Sequence, residues 1–125
     1  MAGEVEFYER FTKRGEQVRL IQRSAARLPT NDFFWVGKGV EVEVKNPKKA
    51  HYGTAASLIQ AAVSKARAHV FVKDHFIIDL GDRMLTRKLH SQLAEYNVRN
   101  PDNRIRALWV MTKGELVEIA LLDQK

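Results

Sequence analysis

Residues 32–45, DFFWVGKGVEVEVK, place acids and lysines at alternate positions of a valine-rich run. Side chains alternate across a strand, so Val40, Val42 and Val44 share one face while Glu41, Glu43 and Lys45 share the other. Gly37-Lys38-Gly39 separates residues 32–36 from 40–45 as a hairpin signal, because glycine accepts the positive φ angles of tight turns. With Gly37 and Lys38 as the central turn residues, Phe34 falls opposite Glu41 and Asp32 opposite Glu43. Opposed residues carry Cβ atoms about 4.5 to 5.5 Å apart, which destabilises like charges unless something positive lies between them. A divalent cation such as Mg²⁺ or Mn²⁺ suits that place, since it takes carboxylate oxygens together with waters and substrate phosphate. Lys45, on the same face, is placed to contact an attacking water or the charge building on phosphorus. The set suits phosphodiester hydrolysis.

The elements that must position these residues are readable from periodicity. Residues 5–14 read as a helix with Phe7, Tyr8 and Phe11 on its apolar side and Gly15 as its stop. Residues 16–23, 32–36 and 40–45 read as strands. From 54 to 68, apolar residues at Ala55, Leu58, Ile59, Ala62 and Ala66 form one helical face. Residues 70–72 and 76–80 are strand-like, with Lys73-Asp74-His75 either a turn or part of one long strand. Residues 84–97 form a further helix, and 105–111 and 116–122 close the chain as a hairpin around Lys113-Gly114. The expected order is αβββαβ followed by αββ, within one α/β domain spanning residues 1–125.

Composition bounds the partners. The chain has 125 residues, 45% of them hydrophobic, enough for one core. Without cysteine it has neither disulfides nor thiolate metal ligands, so any metal takes oxygen or nitrogen. No apolar run approaches the roughly 18 residues of a membrane span, and residues 1–9 are too acidic for a signal peptide, so no membrane partner is expected. Twenty-one Lys and Arg against fifteen Asp and Glu leave a formal charge of +6, which attracts polyanions, nucleic acid foremost.

The spacing Asp32, ten residues, Glu43, one residue, Lys45 resembles the signature of the PD-(D/E)XK nuclease superfamily, and the αβββαβ order resembles its restriction-endonuclease-like core. The resemblance implies that Asp32, Glu43 and the backbone carbonyl of Val44 hold the metal. Asn31 stands where the superfamily name has proline. A first-helix Glu often joins the metal in that superfamily, and Glu4, Glu6 and Glu9 are the positions available here; Glu41 is an additional acid without an assigned role. NDFFWVGKGVEVEVKNP, FIIDLG and RIRALWVMTKGELVEI together look like the nuclease-toxin domains that end contact-dependent growth inhibition proteins. That resemblance implies a tRNase or DNase, a cognate immunity protein, and delivery from a secreted parent into a target cell's cytoplasm.

Other residues are weaker candidates. Lys48 and Lys49 are placed for phosphate contacts, and Arg83, Arg87 and Lys88 form a second basic cluster; either group equally suits a solvated surface. His51 follows the acidic strand closely enough to touch substrate. Ser57, Gln60, Ser64 and Arg67 make a polar stripe on the 54–68 helix that either borders a cleft or faces solvent. Trp35 and Trp109, within strands, are expected in the core. Three rivals to the nuclease reading remain: a non-catalytic nucleic-acid-binding module, a metal-independent ribonuclease using His51 with Lys and Arg, and an interaction protein such as an immunity protein.

Overall fold

The computed structural model describes residues 2–122, with side chains from Val5 onward. The elements are α1 (Ala2–Lys13), β1 (Val18–Leu20), β2 (Phe33–Trp35), β3 (Val40–Lys45), α2 (Tyr52–Ala68), β4 (His75–Gly81), α3 (Arg87–Ala94), α4 (Tyr96–Arg99), a 3-10 turn (Pro101–Asn103), β5 (Ala107–Thr112) and β6 (Glu115–Ile119). The six strands form a mixed sheet in sequence order. β3, β4 and β5 run parallel, while β1–β2, β2–β3 and β5–β6 pair antiparallel.

Two parallel steps in one direction across a sheet, each right-handed, put their crossover helices on the same face. The hydrophobic clusters follow that rule. Ile59 of α2, Leu89 and Leu93 of α3 and Tyr96 of α4 share a core with Phe76, Ile78, Leu80, Leu108 and Val110. On the opposite face, Phe7 and Phe11 of α1 pack with Phe33, Trp35, Val42, Ile77, Trp109 and Met111. β4 is therefore covered on both sides, which explains why all five residues of FIIDL are buried without alternation. Both tryptophans lie in the core, Trp35 edge-on to Trp109.

The acidic hairpin has the expected register, with Phe34 opposite Glu41, and β3 has the expected bounds. Its turn differs. Residues 36–39 all belong to it, and Gly39 N–H closes back on the Trp35 carbonyl at 2.8 Å with Gly39 at φ 69°. The two-residue turn gives way because Val36 already donates to the Gln17 carbonyl of the neighbouring chain segment. The closing hairpin does turn on two residues, Lys113 and Gly114, both at positive φ as such a tight turn requires.

Two other expectations are corrected. Residues 70–72 are not strand: α2 ends in a Schellman-type cap in which Phe71 N–H reaches the Ala66 carbonyl and Val70 N–H the Arg67 carbonyl. That cap needs its central residue left-handed, and Val70 takes φ 54°. The helix expected over 84–97 starts later, at the Thr86 cap, whose hydroxyl accepts the Leu89 N–H, and breaks at Glu95 into α3 and α4.

One charged contact ties α1 to the sheet. Asp79, 1% exposed on β4, receives both Arg10 Nη2 contacts at 2.7 Å and also the Gly81 N–H. Removing one member of such a pair strands the other charge. Arg10→Ala is accordingly expected to cost about 3 to 5 kcal/mol in urea unfolding, and less in an Asp79→Asn background. Val70 is 96% exposed, so nothing offsets its left-handed backbone. Val70→Gly should gain about 1 kcal/mol in the same assay.

Candidate active site

Asp32 is the residue just before β2, and its backbone N–H donates to the Val42 carbonyl at 2.9 Å. In an extended strand the N–H and C=O of one residue point to the same side, and the side repeats every second residue. Val44 therefore aims both groups past the end of β2, towards Asp32. Asp32 Oδ2 accepts the Val44 N–H at 2.7 Å. The Val44 carbonyl lies on that same edge, where the resemblance asks for a backbone ligand.

Glu43 is buried on the α2 face, 5% exposed, although it is charged. Lys45 Nζ stands 3.1 Å from its Oε2 and Lys73 Nζ 3.1 Å from its Oε1. The Lys73 contact is charge against charge without hydrogen-bond geometry, for Oε1 accepts no hydrogen bond and keeps a lone pair to offer. Asp32 and Glu43 feel one another: burial first, and the Glu43 charge second, push the Asp32 carboxyl above its usual range, while the Val44 N–H, Arg23 and Lys73 pull it down. Arg23 Nη2 is 3.6 Å from Asp32 Oδ1.

Glu43 and Lys45 form the floor of a cleft of about 390 Å³ walled by α2 and the segment between β1 and β2. Arg23, Arg27, Lys45, Lys65 and Lys73 line it, and Glu43 is the one acid of its lining. Five cations around a buried carboxylate make a receptacle for a polyanion.

The sequence-derived residues divide. Asp32, Glu43, Lys45 and the Val44 backbone come together where β3 runs past the start of β2, with Glu43 and Lys45 lining the cleft and Asp32 beside it rather than in its lining. Lys48, Lys49 and His51 are exposed on the β3–α2 connection and do not line the cleft. Arg67 donates to the Asp102 carbonyl and borders a neighbouring cleft instead. From the polar stripe of α2 neither Ser57, Gln60 nor Ser64 lines the acid cleft; Ala62 and Lys65 do. Glu41 is exposed and accepts the Asn31 amide at 3.1 Å, which gives it a loop-fastening role. Glu6 lies 4.0 Å from Arg10, Glu9 is exposed, and the side chain of Glu4 lies outside the described residues. Arg83 ties the Pro47 and Leu80 carbonyls together, a structural task, whereas Arg87 and Lys88 are exposed. Lys73 escaped sequence reasoning: it sits in the turn left unassigned, and its only signal was being the lone cation between α2 and β4.

Among the described residues no three His, Asp or Glu side chains gather as a metal cage. A hard divalent cation that arrives with a phosphate needs only one or two carboxylates, and completes its shell with water and substrate oxygens. The open lone pair of Glu43 Oε1, the raised Asp32 carboxyl and the orientation of the Val44 carbonyl fit such an ion. No family model, curated protein or solved structure matches the chain. No helix among the described residues is long and apolar enough to cross a membrane.

A carboxyl whose folded-state pKa lies above the unfolded value favours the fold when protonated. That stability is complete below the unfolded pKa and disappears as pH rises through the folded one. Asp32→Asn, which keeps an acceptor for the Val44 N–H, should therefore melt above the parent at pH 7 without divalent metal. The gap should close as pH falls through the Asp32 titration, as followed by thermal melts from pH 3 to 8.

Proposed function

We propose that the chain is a metal-dependent endonuclease with the PD-(D/E)XK arrangement, cleaving tRNA or DNA as a toxin domain. The observation that carries this reading is that the Asp32 carboxylate, held by the Val44 N–H, feels the charge of Glu43, which pairs with Lys45 on the lining of a cation-rich cleft. Asp32, Glu43 and the Val44 carbonyl would hold Mg²⁺ or Mn²⁺. When bound, such an ion lowers the pKa of a water ligand and offsets phosphate charge.

The protein's own groups supply the rest. Lys45, its side chain 27% exposed, faces the cleft and can donate to a nucleophilic water or a non-bridging phosphate oxygen. Lys73, 11% exposed, stands behind Glu43 and fixes the direction of its carboxylate. Arg23, Arg27 and Lys65 hold the phosphates on either side without reading bases. A toxin of this kind carries a dedicated immunity protein as its partner, and would act in the cytoplasm of the cell it enters.

A second reading has an observation of its own. Lys45 and Lys73 both pair with Glu43, as a closed ionic cluster would in a nucleic-acid-binding module without catalysis. Cleavage of tRNA and of plasmid DNA separates the two. With Mg²⁺ present, the nuclease cuts one or both; EDTA abolishes cutting, and Glu43→Gln or Lys45→Ala lowers the rate about 100-fold or more. Mg²⁺ also raises the melting temperature of the parent and not of Glu43→Gln. Salt-sensitive binding with no cleavage on either substrate establishes the module instead, and cleavage that survives EDTA and both substitutions overturns the mechanism.

A further inference from the structure

Lys73 also borders a second cleft, of about 570 Å³. Arg67, Arg104 and Arg106 line it, with Asp74 as its acid and Val63, Phe71, Val72 and Ile105 as its apolar walls. The two clefts thus share one lining residue, Lys73. Together they are lined by eight cationic and two acidic side chains, an excess equal to the whole formal charge of +6. The remaining Lys, Arg, Asp and Glu of the chain are equal in number, so the two clefts carry a positive excess as large as that of the whole chain.

The chemistry of the second cleft differs from that of the first. Guanidinium groups there stand beside an aromatic ring and aliphatic side chains, the combination that grips an unstacked base together with its phosphate. Phe71 is held at the wall by the cap of α2, where its N–H is bonded to the Ala66 carbonyl at 2.9 Å. A base inside a duplex cannot offer its face to that ring.

We infer that the second cleft is a subsite for an unpaired nucleotide flanking the scissile phosphate, so that the substrate is single-stranded nucleic acid or an unpaired loop. The inference rests on the acid cleft being the scissile-phosphate site. The test is fluorescence anisotropy in EDTA, where cleavage is off, with one labelled sequence as single-stranded RNA, single-stranded DNA and duplex. Single strands should bind at least tenfold tighter than duplex, and the RNA and DNA arms show which sugar is preferred. Phe71→Ala should weaken single-strand binding about tenfold and leave duplex binding unchanged. Arg106→Gln, at a side chain 80% exposed, should leave the fold intact and lower the salt dependence of single-strand binding by about one counterion.

Equal affinity for single strand and duplex overturns the subsite, as does single-strand binding indifferent to both substitutions. Phe71-dependent single-strand binding in a protein that never cleaves removes the catalytic reading and keeps the binding cleft. Glu43-dependent cleavage with unchanged affinity in both variants does the reverse.

Discussion

A side-chain hydrogen bond, from the Val44 N–H to the Asp32 carboxylate, ties that carboxylate at the start of β2 to the strand that carries Glu43 and Lys45. Through it the alternation of one strand becomes a site. Val42 and its neighbours are drawn into the aromatic layer beneath α1, so Glu43 must face α2 and be buried with its charge. A buried carboxylate needs partners, and Lys45 and Lys73 answer to that need, while the nearby Asp32 opposes it. Two acids held this close strain each other electrostatically. Proteins tolerate such arrangements where a ligand relieves them.

The strand carrying Glu43 and Lys45 was legible because its faces differ sharply: VEVEVK admits one register against the core. The amphipathic face of α2 and the Lys113-Gly114 turn were legible for similar reasons, each set by local periodicity or backbone chemistry. Residues 70–72 were misread because a short β-branched run looks like a strand wherever it falls, and nothing local shows that a helix cap will force Val70 left-handed. The split near Glu95 was hidden by apolar residues that stay in phase across the break. Asp32 and Glu43 could be paired from the sequence because a hairpin fixes distances within a few residues. Lys73 could not, since its approach depends on the parallel pairing of β3 with β4 across the whole of α2.

Charge shows the same contrast between count and placement. The excess of six is plain in the composition, yet the lysines next to the acidic strand, Lys48 and Lys49, are not those that wall the cleft. Arg23 and Arg27 come from the long β1–β2 connection, and Lys65 from the late turns of α2. Proximity in the chain was a poor guide because the cleft lies between layers rather than along one loop.

The ribbon formed by β1 and β2 is short, three residues in each strand, so its backbone ladder alone holds it weakly. What pins it is the tilted and edge-on packing of Phe7 and Phe11 against Phe33 and Trp35, on the face away from the acids. The first helix is in this sense a remote clamp: loosening its aromatic grip frees the ribbon to peel away while β4, β5 and β6 stay assembled. One carboxylate lies at the start of the ribbon and the other on β3, so the gap between them depends on packing on the reverse side of the sheet.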